Sequence, residues 1–315
     1  MISKTEHVSV LLKETVEELC LKANSIIVDA TLGGGGHSLG VIDYLESGTL
    51  VCIDSDIQAI KSFKTKISDL GFKEIVNSSS VGQAFKRETQ TIYLVNSNFQ
   101  SISETLNALK IGKVNGIIAD LGWSSDQMKS VAGLSFSRDE TPLDMRLDKK
   151  LNVKASDLLN ALGKGELEKM LGRYGDFTKV ETRILSTAII QQRKIKPFNV
   201  TGDLNNLIEK IQYKLGNRAQ RNLNQLKARI YQSLRIAVNV EYENLRQLMI
   251  GAEEVLVNGG RLNIITFHSG EEKIVEQSLN DLESLFLEKK ILPSVNEIKL
   301  NKRSRSAKLW VITKK

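Results

Sequence analysis

Short apolar runs and helix-spaced apolar positions alternate along the first third of this 315-residue chain. Ile26-Ile27-Val28 and Leu50-Val51-Cys52-Ile53 are β-rich runs, and each ends in an acid, Asp29 or Asp54. Leu39, Ile42 and Leu45 follow the first run at helical spacing, and Ile57, Ile60, Phe63 and Ile67 follow the second. Thr91 to Val95 and Val114 to Asp120 repeat the strand pattern, with a helical stretch from Ile102 to Leu109 between them. A further helix is predicted through Glu14 to Leu19. Such repeats predict a parallel sheet with helices packed on it and right-handed crossovers. One stretch breaks the rhythm. From Asn77 to Gln90 the chain is polar and without clear period, which predicts a mobile surface insertion.

The pattern changes after about residue 129. Ala155 to Leu159, Glu166 to Leu171 and Arg183 to Ile190 have helical spacing; Pro197 stops the last, and Thr201-Gly202-Asp203-Leu204 begins another helix. Strand-like runs return at Gly259 to Phe267 and at Lys308 to Thr313. The expected organisation is an α/β domain of residues 1–128 and 218–315, interrupted by a helical domain at 129–217.

Composition narrows the class. With 41% hydrophobic and 26% charged residues the chain is globular and able to bury a core. No apolar run approaches a membrane span, and the first residues do not read as a signal peptide, so a cytoplasmic protein without a membrane partner is expected. Cys20 and Cys52 lie in apolar surroundings and read as small buried hydrophobes in a reducing compartment. His7, His37 and His268 lack ligand-pair spacing, and no metal site is expected. The net charge of +7 is modest, but its placement is uneven. Lys299 to Lys315 carries seven lysines and arginines and no acid, and a second cluster joins Lys214, Arg218, Arg221, Lys227, Arg229 and Arg235. These are either solvated faces or surfaces for the phosphates of a nucleic acid.

Candidate chemistry begins where the first strand meets Gly33-Gly34-Gly35-Gly36-His37-Ser38-Leu39-Gly40. Gly35 to Gly40 has the spacing of a P-loop, but Val41 and Ile42 follow where Lys and Ser or Thr are needed. The dinucleotide pattern G-x-G-x-x-G fails in every register. Asp29 at the strand tip would repel a pyrophosphate and suits a cationic ligand, such as the ammonium or sulfonium of S-adenosylmethionine. Asp54 stands about 20 residues beyond the turn, where an acid bonds ribose hydroxyls in Rossmann-like sites. Plainer roles exist as well, a helix cap for Asp29 and a solvated turn for Asp54. Phe99, just past the third strand, either stacks on an adenine ring or seals the core. Asp120-Leu121-Gly122-Trp123 follows the fourth strand, whose carboxyl end should face the same pocket. An acid, a tight turn and an aromatic have the outline of the Asp-Pro-Pro-Tyr motif of amino-methyltransferases. That makes Asp120 the candidate catalytic residue, holding an N–H of an exocyclic amine. The alternative is a simple cap.

Several motifs in order carry a family resemblance. They are Thr31 to Ser38, Asp54-Ser55-Asp56, Asp120 to Ser125, Phe136 to Asp139, Pro142 to Arg146, Arg235 to Asn239, Phe267-His268-Ser269 and Ser304 to Leu309. Together they resemble the bacterial MraW/RsmH family of small-subunit ribosomal RNA cytosine-N4 methyltransferases, over nearly the whole chain. The resemblance implies a Rossmann-like S-adenosylmethionine-dependent methyltransferase fold with an inserted all-helical substrate-recognition domain. It implies cofactor contacts at Gly35, Gly36, His37, Asp54, Phe99, Asp120 and Gln127. The target implied is a cytidine N4 in the decoding region of 16S ribosomal RNA within the small subunit; a homodimer is compatible with the sequence. His268 is read as an organising residue rather than a base. The chain departs from the family pattern in four places: a longer segment near Asn77 to Gln90, Gln225 to Arg229 keeping only the arginine, Asp176 for a longer acid, and Gly270 for leucine. Two other activities suit the same motifs: amino-methylation of DNA or another RNA, and RNA binding in ribosome assembly with the cofactor as a structural ligand.

Overall fold

The computed structural model describes residues 9–77, 79, 81–123, 131–215 and 222–315. The chain divides into two compact units, one of residues 1–124 with 242–315 and one of residues 125–241.

The first unit is α/β and is built from the apolar runs. Helix α1 (Leu12–Glu17) precedes β1 (Ile26–Asp29), α2 (Gly36–Ile42), β2 (Thr49–Asp54) and α3 (Ile57–Asp69). Then come β3 (Lys73–Ile75), β4 (Gln83–Arg87), β5 (Gln90–Asn96), α4 (Ile102–Ala108) and β6 (Val114–Asp120). After the helical unit the chain returns through β7 (Leu256–Thr266), β8 (Leu285–Ile291) and β9 (Lys308–Lys314). The nine strands form one sheet in the order β3-β4-β5-β2-β1-β6-β7-β9-β8. Strands β5, β2, β1, β6 and β7 are parallel neighbours, so their carboxyl ends share one edge of the sheet. From β1 the chain moves first to one side and later to the other, which makes β1 and β6 flank the switch point of a Rossmann-like fold. Ile27, Val28, Leu50, Val51, Ile117 and Ile118 are fully buried, as continuous apolar strands covered on both faces require.

The segment expected to be a mobile insertion is instead part of the sheet. Strand β4 pairs antiparallel with β5, placing Phe85 opposite Ile92, and β3 pairs with β4. Phe85 is 1% exposed and joins Phe63 and Ile67 in the core. The periodicity is hidden because the two buried residues, Ala84 and Phe85, are adjacent and lie on opposite faces, while Lys86 is exposed. Charged positions suit a sheet edge, where they oppose pairing with another chain. Strand β8 escaped the sequence reading for the same reason, since Glu288, Lys289 and Lys290 are exposed on it. Cys20 is a second correction. It is exposed, in a left-handed turn (φ 51°) just beyond α1, whereas Cys52 is buried in β2 as expected.

The second unit is helical among its described residues, with α5 (Ala155–Ala161), α6 (Lys164–Gly175), α7 (Lys179–Ile195), α8 (Thr201–Ile211) and α9 (Leu223–Asn239). It runs on past the expected end at Asn217, because α9 packs against α5, α6 and α8. Pro142 to Arg146 is a framework here. Met145 takes a left-handed conformation (φ 64°). Asn239 fixes it, donating from Nδ2 to Met145 O at 2.9 Å and accepting from Leu147 N at 2.9 Å. Burial alone would raise the Asp144 carboxyl, but paired hydrogen bonds from Arg146 prevail and hold it at about 2.

Half of the second basic cluster turns inward. Lys227 is buried and paired with Glu209 at 2.7 Å, and Arg235 is paired with Glu241 at 2.9 Å. Arg229 lies over the Phe177 ring at 3.9 Å and donates to Gly175 O. Arg218 and Arg221 lie outside the described residues. No described helix is long and apolar enough to cross a membrane.

Candidate active site

The carboxyl ends of β1, β2 and β6 bring Asp29, Asp54 and Asp120 to one edge of the first unit. Their environments differ. Asp29 is 1% exposed and internally satisfied, with Oδ1 accepting from Thr31 N at 3.1 Å and Oδ2 from the Ser38 hydroxyl at 2.6 Å. It braces the glycine turn from below. Burial raises its carboxyl, against the opposing effect of Ser38.

Asp54 closes the turn from the side. Its Oδ2 accepts from Gly33 N at 2.7 Å and its Oδ1 from Asp56 N at 2.8 Å. Each carboxylate oxygen has a second lone pair, so both can still accept from a ligand hydroxyl. Burial lifts this carboxyl to about 6 despite those two amides.

The glycines divide by role. A side chain at Gly35 would strike the Phe63 ring at 2.2 Å, and one at Gly36 the Ser9 hydroxyl at 2.1 Å. Those two let α2 pack close to its neighbours. A Cβ at Gly34 would meet nothing within 4 Å, so Gly34 faces the open side of the turn. Gly33 and Gly35 have φ of 48° and 78°, the left-handed region that favours glycine.

Asp120 is placed by three contacts that no local sequence signal announces. Its N–H donates to Thr31 Oγ1 at 2.6 Å, tying the end of β6 to the loop after β1. Gly122, with φ 108°, turns the chain over the Phe267 ring, which a Cβ there would approach to 3.4 Å. Arg303 donates to Trp123 O and thereby holds the far side of that turn. Arg303 is therefore a tether of this turn, although it remains exposed. Trp123 itself is 7% exposed, packed inward.

The Asp120 carboxylate faces two ways. Oδ1 is buried with no hydrogen-bond partner among the described residues. Oδ2 lies 3.9 Å from His37 Nδ1. On the other side of that ring, Nε2 is 3.1 Å from Val10 O, which can only accept, so Nε2 carries the proton. Burial raises Asp120 to about 6, while His37 and Arg303 pull it down and Asp29 and Glu271 push it up.

Phe99 opens a short 3-10 turn after β5 and is half-buried, with ring surface to spare. Gln127 lies outside the described residues. His268 caps helix α10 (Ser269–Asp281): Nδ1 accepts from Glu271 N at 3.3 Å, and Nε2 is 3.0 Å from Glu271 Oε1. Its organising role is structural. Glycine at 270 has a partner too, since a Cβ there would lie 1.7 Å from the Tyr242 hydroxyl. Tyr242 takes the space a leucine at 270 would need. Sequence alone does not give Thr31, Arg303 or Tyr242 these structural roles; Thr31 stands there only in a motif and Arg303 only within the basic run from Lys299 to Lys315.

A cationic, ribose-bearing ligand suits this donor set. The edge offers buried carboxylates with spare acceptor capacity, one of them with no partner at Oδ1 among the described residues, beside a turn that is open at Gly34. Among the described residues no group of three His, Cys, Asp or Glu side chains could hold a metal ion.

The MraW methylase family model matches residues 4–315. Curated relatives named ribosomal RNA small subunit methyltransferase H align along the whole chain. The Clostridium botulinum (strain Kyoto / Type A2) protein is 35% identical over 98% of this chain and 99% of its own. That of Caldicellulosiruptor saccharolyticus is 36% identical over the same shares. That of Mycoplasmopsis synoviae is 33% identical over 99% of both.

Proposed function

Because the chain belongs to the MraW methylase family, we propose that it methylates the exocyclic N4 of a cytidine in the decoding region of 16S ribosomal RNA, within the small ribosomal subunit. Methylation of ribosomal RNA at the expense of S-adenosylmethionine is the activity that family and relatives give it. The choice of an exocyclic amine rests on one observation, the buried Oδ1 of Asp120 at the switch point, which has no hydrogen-bond partner among the described residues. When bound, S-adenosylmethionine supplies an electrophilic methyl group on a sulfonium. Asp54 would take its ribose, Phe99 its adenine, and the turn at Gly35 and Gly36, with His37 and Gln127, the rest.

The cytosine amine is a poor nucleophile because its lone pair is delocalised into the ring. Asp120 would accept one N–H and turn the nitrogen so that its lone pair leaves conjugation with the ring and faces the methyl group, an orientation effect worth several orders of magnitude in rate. The nitrogen must shed one proton when it gains a carbon. A carboxylate raised to about 6 takes that proton more readily than an ordinary aspartate. His37 stands behind it, with Nδ1 3.9 Å from Asp120 Oδ2. The helical unit would recognise the RNA, and such a substrate places the protein in the cytoplasm.

The test is methyl transfer from labelled S-adenosylmethionine into isolated small subunits, then digestion to nucleosides and mass analysis. N4-methylcytidine is the expected product. Label in another nucleoside would refute the N4 assignment, and binding without any transfer would make this an assembly factor.

A further inference from the structure

The helical unit holds a groove of about 540 Å³ between α7, α8 and the turn that follows α8. It is remote in sequence from every residue assigned above. Three cations stand along it, Arg183, Lys210 and Lys214, all exposed. None of the three makes an ion pair with a described residue, whereas Lys196, Lys227 and Arg235 in the same unit all do. No acid lines the groove. Glu209, next to Lys210 in sequence, is taken up by Lys227 at 2.7 Å. Like charges around one hollow make a positive potential there, which favours an anionic occupant.

The rest of the lining narrows the anion. Tyr213 is 62% exposed, with the Lys214 ammonium 5.6 Å from its ring centroid. An aromatic ring left in solvent beside a cation is the platform on which nucleobases stack, and stacking tolerates any base. Gln191 and Gln192 contribute amides that both donate and accept, as base edges require. Ile184, Leu207 and Ile211 form an apolar floor. A free phosphate or an acidic peptide would use the cations but not the ring.

Resting on the function proposed above, we infer that this groove binds a single-stranded stretch of the RNA substrate, with a base on Tyr213 and phosphates on Arg183, Lys210 and Lys214. The groove is thus an anchoring site in addition to the methyl-transfer site. Its ligand is unpaired RNA, since bases in a duplex cannot reach a ring.

Fluorescence anisotropy of the full-length protein with a labelled single-stranded RNA of mixed sequence tests this. The double variant R183E/K210E should bind at least tenfold more weakly and lower the slope of log affinity against log salt by about 1.4, the release expected for two phosphates on a single strand. Tyr213→Ala should weaken binding by about 5- to 100-fold and leave the slope unchanged. All three positions are exposed, and unchanged melting temperatures and S-adenosylmethionine affinity would show that the variants are folded. Wild-type affinity and slope in R183E/K210E would overturn the proposal. So would RNA binding indifferent to Tyr213→Ala with polyglutamate binding equally well, which would make this an acidic-peptide site. Wild-type transfer to small subunits, assayed in parallel, judges the methylation reading separately. Its failure would leave the RNA affinities to decide the groove, and its success with unaltered variants would remove the groove alone.

Discussion

Asp120 is held at a cost. Its folded-state pKa of about 6 exceeds the ordinary carboxylate value, so the folded protein binds its proton more tightly than the unfolded chain does. Below about pH 4 both states are protonated and burial costs nothing. As pH rises through about 6 the folded carboxyl ionises and the penalty becomes complete. The side chain keeps 23% exposure, which trims that penalty. Asp120→Asn should therefore stabilise the cofactor-free protein by roughly 1–3 kcal/mol at pH 7.5 and by almost nothing at pH 4, read from urea melts. Equal effects at both pH values would deny the buried charge. Asp54→Ala should weaken S-adenosylmethionine by about 1–3 kcal/mol in calorimetry, the scale of charge-assisted hydrogen bonds. An unchanged affinity would leave Asp54 only its clamp on Gly33. Both acids were legible because each ends an apolar run at a fixed offset. Their supports were not: Thr31 lies 89 residues from Asp120, and Arg303 lies 180 from Trp123. Only folding brings such pairs together.

At the scale of elements, long apolar runs declared themselves and half-exposed edges did not. Strands β1, β2 and β6 are largely buried on both faces and read as continuous hydrophobic stretches, while β5 alternates buried and half-buried positions. The β3–β4 hairpin buries little more than Ala84 and Phe85, and its remaining signal is polar. Cations cover its aromatics, with Arg87 4.6 Å from the Phe72 ring centroid and Lys64 5.4 Å from that of Phe85. Phe85→Ala should cost about 3–5 kcal/mol in chemical denaturation, the loss for a fully enclosed phenylalanine. A loss below about 0.5 kcal/mol, the surface scale, would return the segment to a loose insertion. The second helical boundary was misread because α9 continues the same helical pattern in which the return to α/β had been expected.

Across the whole molecule, the net charge of +7 says less than its distribution. Much of the basic excess near the carboxyl end is spent internally. Lys308 pairs with Glu272 at 2.7 Å, and Lys315 donates to Glu283 O at 2.8 Å. Lys299, Lys302 and Arg305 stay exposed, and the groove cations of the helical unit make no ion pair with a described residue. Sequence counts could not separate these groups, because pairing depends on which acids the fold brings near. We propose that methyl transfer takes place at the Asp120 edge of the α/β unit, and the most direct test is the single-turnover rate of Asp120→Asn on small subunits at saturating S-adenosylmethionine. The amide keeps an acceptor oxygen but loses the charge that orients the amine and takes its proton. The rate should fall by about 100-fold or more, with RNA affinity within a factor of about two. A saturated rate equal to wild type would contradict a chemical role for Asp120, and any accompanying loss of cofactor affinity would make it a cofactor contact alone.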